Sequence, residues 1–285
     1  MAFCECCNLP IMAILNELDP QAGLFKILGL SVRLFKENFK AIFIIYLSYM
    51  LILVIPSFKD NPSLMTVINF LLAIIDFVVV VSLSHFIAKK IQGVDTSPRQ
   101  AWIFAKNNWL KITLTKLLFL LIMLTLILLL VLPFLILGSL VKVNTGLSIM
   151  LMTLAVSVLI VIVWFWKIFP VTIKMIFFDK VMAVEERFMK EALDTSSDLM
   201  KSNIGSGLLY ILYISVIFGL SFGLPMYVIL GLSGEQIMAY PNDISSLGLF
   251  AVLIWNTGSI VSSIFIACFS TLYYFKFKLM QTNPN

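Results

Sequence analysis

"ITLTKLLFLLIMLTLILLLVLPFLILGSL", residues Ile112–Leu140, decides the fold. It carries a single charge, Lys116, and it outruns any soluble core helix, since a bilayer core of about 30 Å takes roughly 20 apolar residues per helix. Five further runs are of the same kind: Lys40–Ser57, Leu64–Ala88, Leu147–Phe169, Ile204–Leu232 and Ser246–Phe275. The first of these is short and must borrow from the residues before it. With 61% of 285 residues hydrophobic and 12% charged, the sequence predicts an all-α polytopic membrane protein of six transmembrane helices, integrated as one membrane domain over 1–285. The start, "MAFCECCNLP", has neither a basic opening nor an apolar h-region, so the N-terminus is expected to stay in the mature chain.

The net charge of +5 is sorted by connection. Lys26, Arg33, Lys36 and Lys40 precede the first run. Lys89, Lys90, Arg99, Lys106 and Lys111 fill the second connection, and Lys167, Lys174, Lys180, Arg187, Lys190 and Lys201 the fourth. Lys276 and Lys278 follow the last run, and only Lys59 and Lys142 fall on the opposite side. Cationic loops stay in the cytoplasm, which predicts that both termini are cytoplasmic. Lys116, inside a run, lies near enough to the basic end to snorkel. No basic cluster stands apart from a membrane flank, so no nucleic-acid partner is expected.

The segments entering the first, third and fifth runs share a frame: "SVRLFKENFKAIF", "AWIFAKNNWLKIT" and "SSDLMKSNIGSGL". A small residue (Ser31, Ala101, Ser196) precedes a lysine by five positions (Lys36, Lys106, Lys201). Asparagine follows two later (Asn38, Asn108, Asn203), then a bulky apolar residue (Phe39, Trp109, Ile204). Such self-similarity predicts repeated units, here about 24–90, 97–170 and 180–276, after an N-terminal cytoplasmic arm over 1–23. Each unit reads as an amphipathic entry helix at the inner interface, a short Lys-x-Asn break, a rising span and a falling span. In the third copy Val181, Val184, Phe188 and Ala192 form an apolar stripe among Glu185, Glu186, Lys190, Glu191 and Asp194, which suits a helix lying on lipid. Lys36, Lys106, Lys201, the three asparagines and Trp109 are therefore the candidate lipid contacts. Three lysines forming a lipid or anion site is the functional reading; anchoring is the plainer one.

The run "FPVTIKMIFFDKVMAVEERFMKEALDTSSDLMKSN", Phe169 to Asn203, and its shorter echo "ILGLSVRLFKENFKAIF", Ile27 to Phe43, resemble segments of YciC-like bacterial inner-membrane proteins. That group includes the membrane domain attached to some glycerophosphoryl diester phosphodiesterases. The second copy departs from the pattern by Ala101 in place of serine, and the third by isoleucine where an aromatic is common. The resemblance implies a six-helix bacterial inner-membrane protein.

Phosphodiesterase chemistry resides in a separate soluble domain that uses histidine and metal-bound carboxylates, and this chain has one histidine, His85. Its extramembrane segments, none beyond roughly 40 residues, are too short for an independent catalytic core. No Gly-x-Ser-x-Gly, His-Glu-x-x-His or Gly-x-x-x-x-Gly-Lys motif occurs. No catalytic residues, metal or cofactor are expected. The thiols of Cys4, Cys6 and Cys7 read as free: three within four residues do not close a tetrahedral zinc site, although acylation stays open. Cys268 reads as a small packing residue.

The sharpest anomaly is Asp76, twelve residues into the second run. An ionised carboxylate at mid-bilayer costs about 2.5–3.5 kcal/mol even on insertion scales, so it should face the bundle interior, be protonated, or both. At about 100° per residue Asn69 shares its face, whereas His85 points opposite and reads as interfacial beside Lys89 and Lys90. Asn256 enters the sixth run from the same outer side and reaches similar depth. Asp76, Asn69 and Asn256 thus form the candidate intramembrane polar site, with interhelical packing or a substrate, ion or proton role as its alternatives. Small residues at Ser215, Gly219 and Gly223, and at Ser259, Ser263 and Ala267, predict close helix crossings in spans five and six. Pro225 and Pro133 are expected to bend their helices.

Two function classes follow: a non-enzymatic inner-membrane protein that organises lipid or partner proteins, and a small transporter or channel for a lipid-like or anionic solute using Asp76. Membrane lipids are the expected partners, with a homo-oligomer or another membrane protein as further candidates.

Overall fold

The computed structural model describes residues 17–19, 22–53, 62–143, 154–159, 161–162, 166, 169–201, 203–220 and 246–282; side chains of 46–53, 62–69, 129–143, 218 and 246–260 are excepted. The described residues are almost wholly helical, and no strand occurs among them. The helices are α1 (Leu24–Leu53), α2 (Pro62–Ile91), α3 (Pro98–Val143), α4 (Phe169–Lys174), α5 (Phe178–Glu185), α6 (Lys190–Lys201), α7 (Ile204–Phe218) and α8 (Ser246–Thr282).

Two stretches, Phe70–Ile91 of α2 and Pro98–Leu128 of α3, are long and apolar enough to cross a membrane among the described residues. A third is added if α6 and α7, bent by 106° at their junction, count as one broken span. This is fewer than the six expected spans, and the difference falls partly on positions outside the described residues. Much of the fourth run, the second half of the fifth with Gly223 and Pro225, and the N-terminal CECC cluster lie there.

Helix α2 is the hub, packing against α1, α3, α5 and α8. From Val81 to Ala88 every side chain is buried. A helix enclosed on all sides needs no apolar stripe, and none runs along this segment. Ser82 and Ser84 sit in this enclosed segment. Ser82 Oγ donates to the Ala101 carbonyl of α3 at 2.9 Å, so a small polar side chain lets two backbones approach while its hydroxyl stays satisfied.

The expected break at Lys-x-Asn occurs in the third copy alone. Helix α1 runs unbroken through Lys36–Asn38, and α3 through Lys106–Asn108 and on through Pro133. The asparagines explain the continuity. Asn38 Nδ2 donates to Leu34 O (3.0 Å), Asn108 Nδ2 to Phe104 O (3.1 Å) and Asn203 Nδ2 to Leu199 O (3.5 Å). Each amide bonds back to the carbonyl four residues earlier, a geometry a helix accommodates. The third copy differs by two following glycines. A Cβ on Gly207 would lie 2.3 Å from Met200 Cε and 2.6 Å from Ile173 Cγ2, so the bare backbone is what lets α7 turn sharply against α6 and α4. The residues of the small position, Ser31, Ala101 and Ser196, are all fully buried.

The amphipathic stripe of the third copy does not lie along one interfacial helix. Glu186 (φ 57°) and Met189 (φ 55°), both in the left-handed region, split it into α5 and α6. Val181 and Ala192 are buried, and Val184 and Phe188 pack on the protein core rather than facing lipid. The corner is held by its neighbours. Thr115 Oγ1 of α3 accepts the Met189 amide at 2.6 Å while donating to Lys111 O at 2.7 Å. Arg187 reaches Thr195 at 3.1 Å, and Lys89 of α2 pairs with Glu186 at 3.5 Å. Left-handed non-glycine residues cost about 1 kcal/mol or more each, so they persist only where contacts enforce them.

Helices α7 and α8 pack together; Ala267 of α8 is buried, but the described small residues of α7 stay out of the contact. Ser215 and Gly219 are exposed, and a Cβ on Gly219 would meet nothing within 4 Å. Tyrosines fill the contact: Tyr210 lies 6.3 Å from Phe269 and 5.1 Å from Tyr273, ring centre to ring centre. The buried Tyr210 hydroxyl finds its hydrogen-bond partner in Ser270 of α8.

Candidate functional site

Helix α5 lies along the buried half of α2, and polar groups line their seam. The local sequence "FFDKVMAV", Phe177–Val184, puts an acid and a base between apolar residues. Lys180 is only 3% exposed. Its Nζ stands 2.8 Å from Asp179 Oδ2 and donates to Ser84 Oγ at 2.8 Å. One turn on, His85 Nδ1 stands 2.7 Å from the Ala183 carbonyl. Because a carbonyl only accepts, Nδ1 must carry the hydrogen, which fixes the tautomer of the neutral ring. The imidazole is stacked on Phe104 at 3.9 Å. His85 is therefore buried between α3 and α5, where an interfacial position was expected; its bond satisfies an orphan carbonyl in the last turn of α5.

At the deeper end of the seam stands Lys116 of α3. Its Nζ lies 4.5 Å from the centroid of Phe77, 5.7 Å from Phe119 and 6.0 Å from Phe178. The carboxylates of Asp179 and Asp76 both act on this ammonium electrostatically. The expected snorkelling of Lys116 thus gives way to an aromatic enclosure shared by α2, α3 and α5. Lys180, counted from sequence among the solvated cations of the fourth connection, is instead enclosed beside Ser84 for the same reason: a carboxylate within reach offsets its desolvation.

Asp76 is half-buried on α2, and its charge acts on Lys116 of α3. Asn69 lies on the same helix and Asn256 in α8, each outside the residues with described side chains. Lys36, Lys106 and Lys201 are exposed, while Asn38, Asn108 and Asn203 are half-buried and turned to their own helix backbones. Trp109, on α3, is 55% exposed. Missing from the sequence reading were Asp179, Lys180, Lys116 and Ser84 as partners in one network. The signal for the first two is present in retrospect: an Asp-Lys pair flanked on both sides by buried-type residues.

Hydroxyl, ammonium and carboxylate in a row suggest a serine–lysine pair. The chemistry argues otherwise. A lysine that activates serine takes a proton from it, whereas Lys180 Nζ donates to Ser84 Oγ and stands 2.8 Å from Asp179. The set Asp76, Asp179, Lys116 and Lys180 carries two negative and two positive charges, so it balances internally.

A second network closes the basic end. Glu185 Oε1 accepts from the Tyr274 hydroxyl and from Lys278 Nζ (3.0 Å) of α8, and Arg187 Nε stands 3.4 Å from Oε2. Burial pushes the Glu185 carboxyl up, but the Tyr274 and Lys278 hydrogen bonds and the charges of Lys278 and Arg187 outweigh it, so its pKa falls below the ordinary value. Gln281 Nε2 donates to Asp198 O, Lys276 Nζ to Ala22 O, and Arg33 pairs with Glu17 and Glu37. The start of α1, the ends of α2 and α8 and the α5–α6 corner therefore meet at one end of the molecule.

Almost wholly helical in its described residues, with long apolar helices suited to a bilayer, the chain has the build of a membrane-associated helical protein. No family model, curated protein or solved structure matches it. Among the described residues no group of three or more His, Cys, Asp or Glu is placed to hold a metal ion.

Proposed function

We propose that the chain is a non-enzymatic, multi-span protein of a bacterial inner membrane that organises lipid or partner membrane proteins around its basic end. One observation carries this reading. Exposed lysines stand beside exposed rings where the long apolar faces begin: Lys36 next to Phe39 on α1, and Lys106 next to Trp109 on α3. Above them the lipid-type face of α3 continues through Leu110, Leu114, Leu121 and Leu128, all exposed. At 1.5 Å per residue, Leu110 to Leu128 covers about 27 Å, close to the thickness of a hydrocarbon core. Lysine ammonium at headgroup depth attracts anionic lipid, and tryptophan favours the same depth.

Six spans, cytoplasmic termini and three repeat units complete the proposal. They rest on the six apolar runs, the sorting of cations and the three Lys-x-Asn frames, and the likeness to YciC-like proteins points the same way. Native mass spectrometry of the detergent-purified protein tests it: retained phospholipid or a co-purifying membrane protein is expected, and a bare chain with neither would contradict it.

Transport of a lipid-like or anionic solute is the second reading, favoured by Asp76 within electrostatic reach of the half-buried Lys116. The balanced charges of the seam weigh against an anion, which would meet two carboxylates for every two ammonium groups. Asp76→Asn separates the two: normal assembly with a lost cellular phenotype supports transport, whereas misassembly supports packing.

A further inference from the structure

Independently of the lipid-organising reading, we propose that the enclosure around Lys116 is a receptor for amphiphilic organic cations, such as quaternary ammonium compounds, which the protein keeps filled with its own side chain. The walls are three phenylalanine rings. Phe119 and Phe178 stack at 4.5 Å, and Phe77 and Phe178 at 5.7 Å, so the rings form one stack beside the ammonium, which lies nearest to Phe77 at 4.5 Å. Ring faces attract cations and offer nothing to anions, and the site gains strength when water is excluded. The carboxylates of Asp179 and Asp76 supply the negative charge.

Charge counting separates Lys116 from Lys180. Lys180 is committed to Asp179 at 2.8 Å and to Ser84, and it is fully enclosed. Lys116 has neither contact: it is half-buried, on a flexible four-carbon stem, and held by ring faces and through-space attraction. Swinging it out would leave the seam one positive charge short, a deficit that an incoming cation restores. Leu117, Leu120 and Leu121 beside it on α3 are exposed, so a ligand partitioned into lipid reaches the enclosure from the side. The carbon walls select its class. A small metal ion needs a shell of oxygen ligands that two carboxylates do not complete, whereas a trimethylammonium head is matched by rings.

The test is equilibrium binding of radiolabelled benzyltrimethylammonium to the full-length protein in uncharged detergent. Lys116→Ala, which vacates the enclosure, is expected to bind at least about tenfold more tightly than the wild type, consistent with one cation–ring contact set. Lys116→Arg, which refills it, is expected to bind like the wild type, and Asp76→Asn added to Lys116→Ala is expected to abolish the gain. A folded Lys116→Ala protein with wild-type affinity would overturn the proposal, as would a gain that survives Asp76→Asn. Wild-type protein provides a second arm that does not depend on the variant folding. Saturating probe is expected to speed acylation of Lys116 by an amine-reactive reagent, read by peptide mass spectrometry, because the displaced ammonium becomes accessible; an unchanged rate overturns the proposal.

Discussion

Replacing Lys180 by methionine probes the seam between α2 and α5 most sharply. The side chains are of similar length, so the change removes a charge without opening a large cavity. It leaves Asp179 without its 2.8 Å partner and Ser84 without its donor. Breaking a buried ion pair from one side costs about 3–5 kcal/mol. Asp179 keeps some solvent contact, with 19% of its side chain exposed, and keeps the field of Lys116, which places the expected loss near the lower end, about 3 kcal/mol. For a protein of this size that is a fall in Tm of about 6–12 °C, followed by circular dichroism in detergent. Asp179→Asn alone strands the almost fully enclosed Lys180 and is expected to cost about 4 kcal/mol. The double variant, Asp179→Asn with Lys180→Met, removes one charge of each sign and leaves Asp76 opposite Lys116. It is expected to lie within about 1 kcal/mol of the wild type, a coupling of several kcal/mol between the two positions. Losses that simply add in the double variant would refute the pairing.

The glycines give a contrasting pair: Gly207→Ala drives a Cβ to within 2.6 Å of Met200 and Ile173 and is expected to cost about 1–3 kcal/mol, whereas Gly219→Ala meets open space and is expected to be neutral or stabilising by up to about 1 kcal/mol in the same thermal assay. His85→Phe keeps the stack on Phe104 but strands the Ala183 carbonyl, for an expected loss of about 1–3 kcal/mol; an unchanged Tm would show that the carbonyl finds water instead. The depressed pKa of Glu185 makes its contribution fully present above the unfolded value near 4.5 and lost as pH falls through the lower folded value. Glu185→Gln is therefore expected to lower Tm at pH 7, with the gap to wild type narrowing as the pH drops below about 4.5; a pH-independent gap would assign the loss to packing.

Helical class was legible because length and apolarity are local properties, and Ile112–Leu140 states both without reference to any neighbour. The cost of Asp76 in an apolar run was legible for the same reason. Its partners were not, because helical periodicity fixes which residues share a face and says nothing of which helix comes to that face. Depth and register point to Asn69 and Asn256, whose side chains lie outside the described residues, and give no hint of Lys116, which the fold brings within electrostatic reach of Asp76 from α3. Two further misreadings have a common origin. Lys180 and Lys116 were assigned to solvent or snorkelling because cations are expensive to bury, yet each lies within reach of a carboxylate that lowers that expense. The split of the third entry segment at Glu186 and Met189 left no glycine or proline to announce it; the corner is imposed by Thr115, Lys89 and Thr195 from outside. Continuity of α1 and α3 through Lys-x-Asn was hidden because asparagine both ends helices and, by bonding back four residues, sits inside them.

Membrane topology is the most direct test of the six-span, positive-inside arrangement. Single cysteines placed at Asn107, Thr282, Lys59 and Asn242, in a chain with its own cysteines replaced, would be challenged with an impermeant maleimide in intact and in permeabilised cells. Labelling of Lys59→Cys and Asn242→Cys from outside, with Asn107→Cys and Thr282→Cys reacting only after permeabilisation, is the expected result. Asn107→Cys and Asn242→Cys reacting from the same side would contradict it.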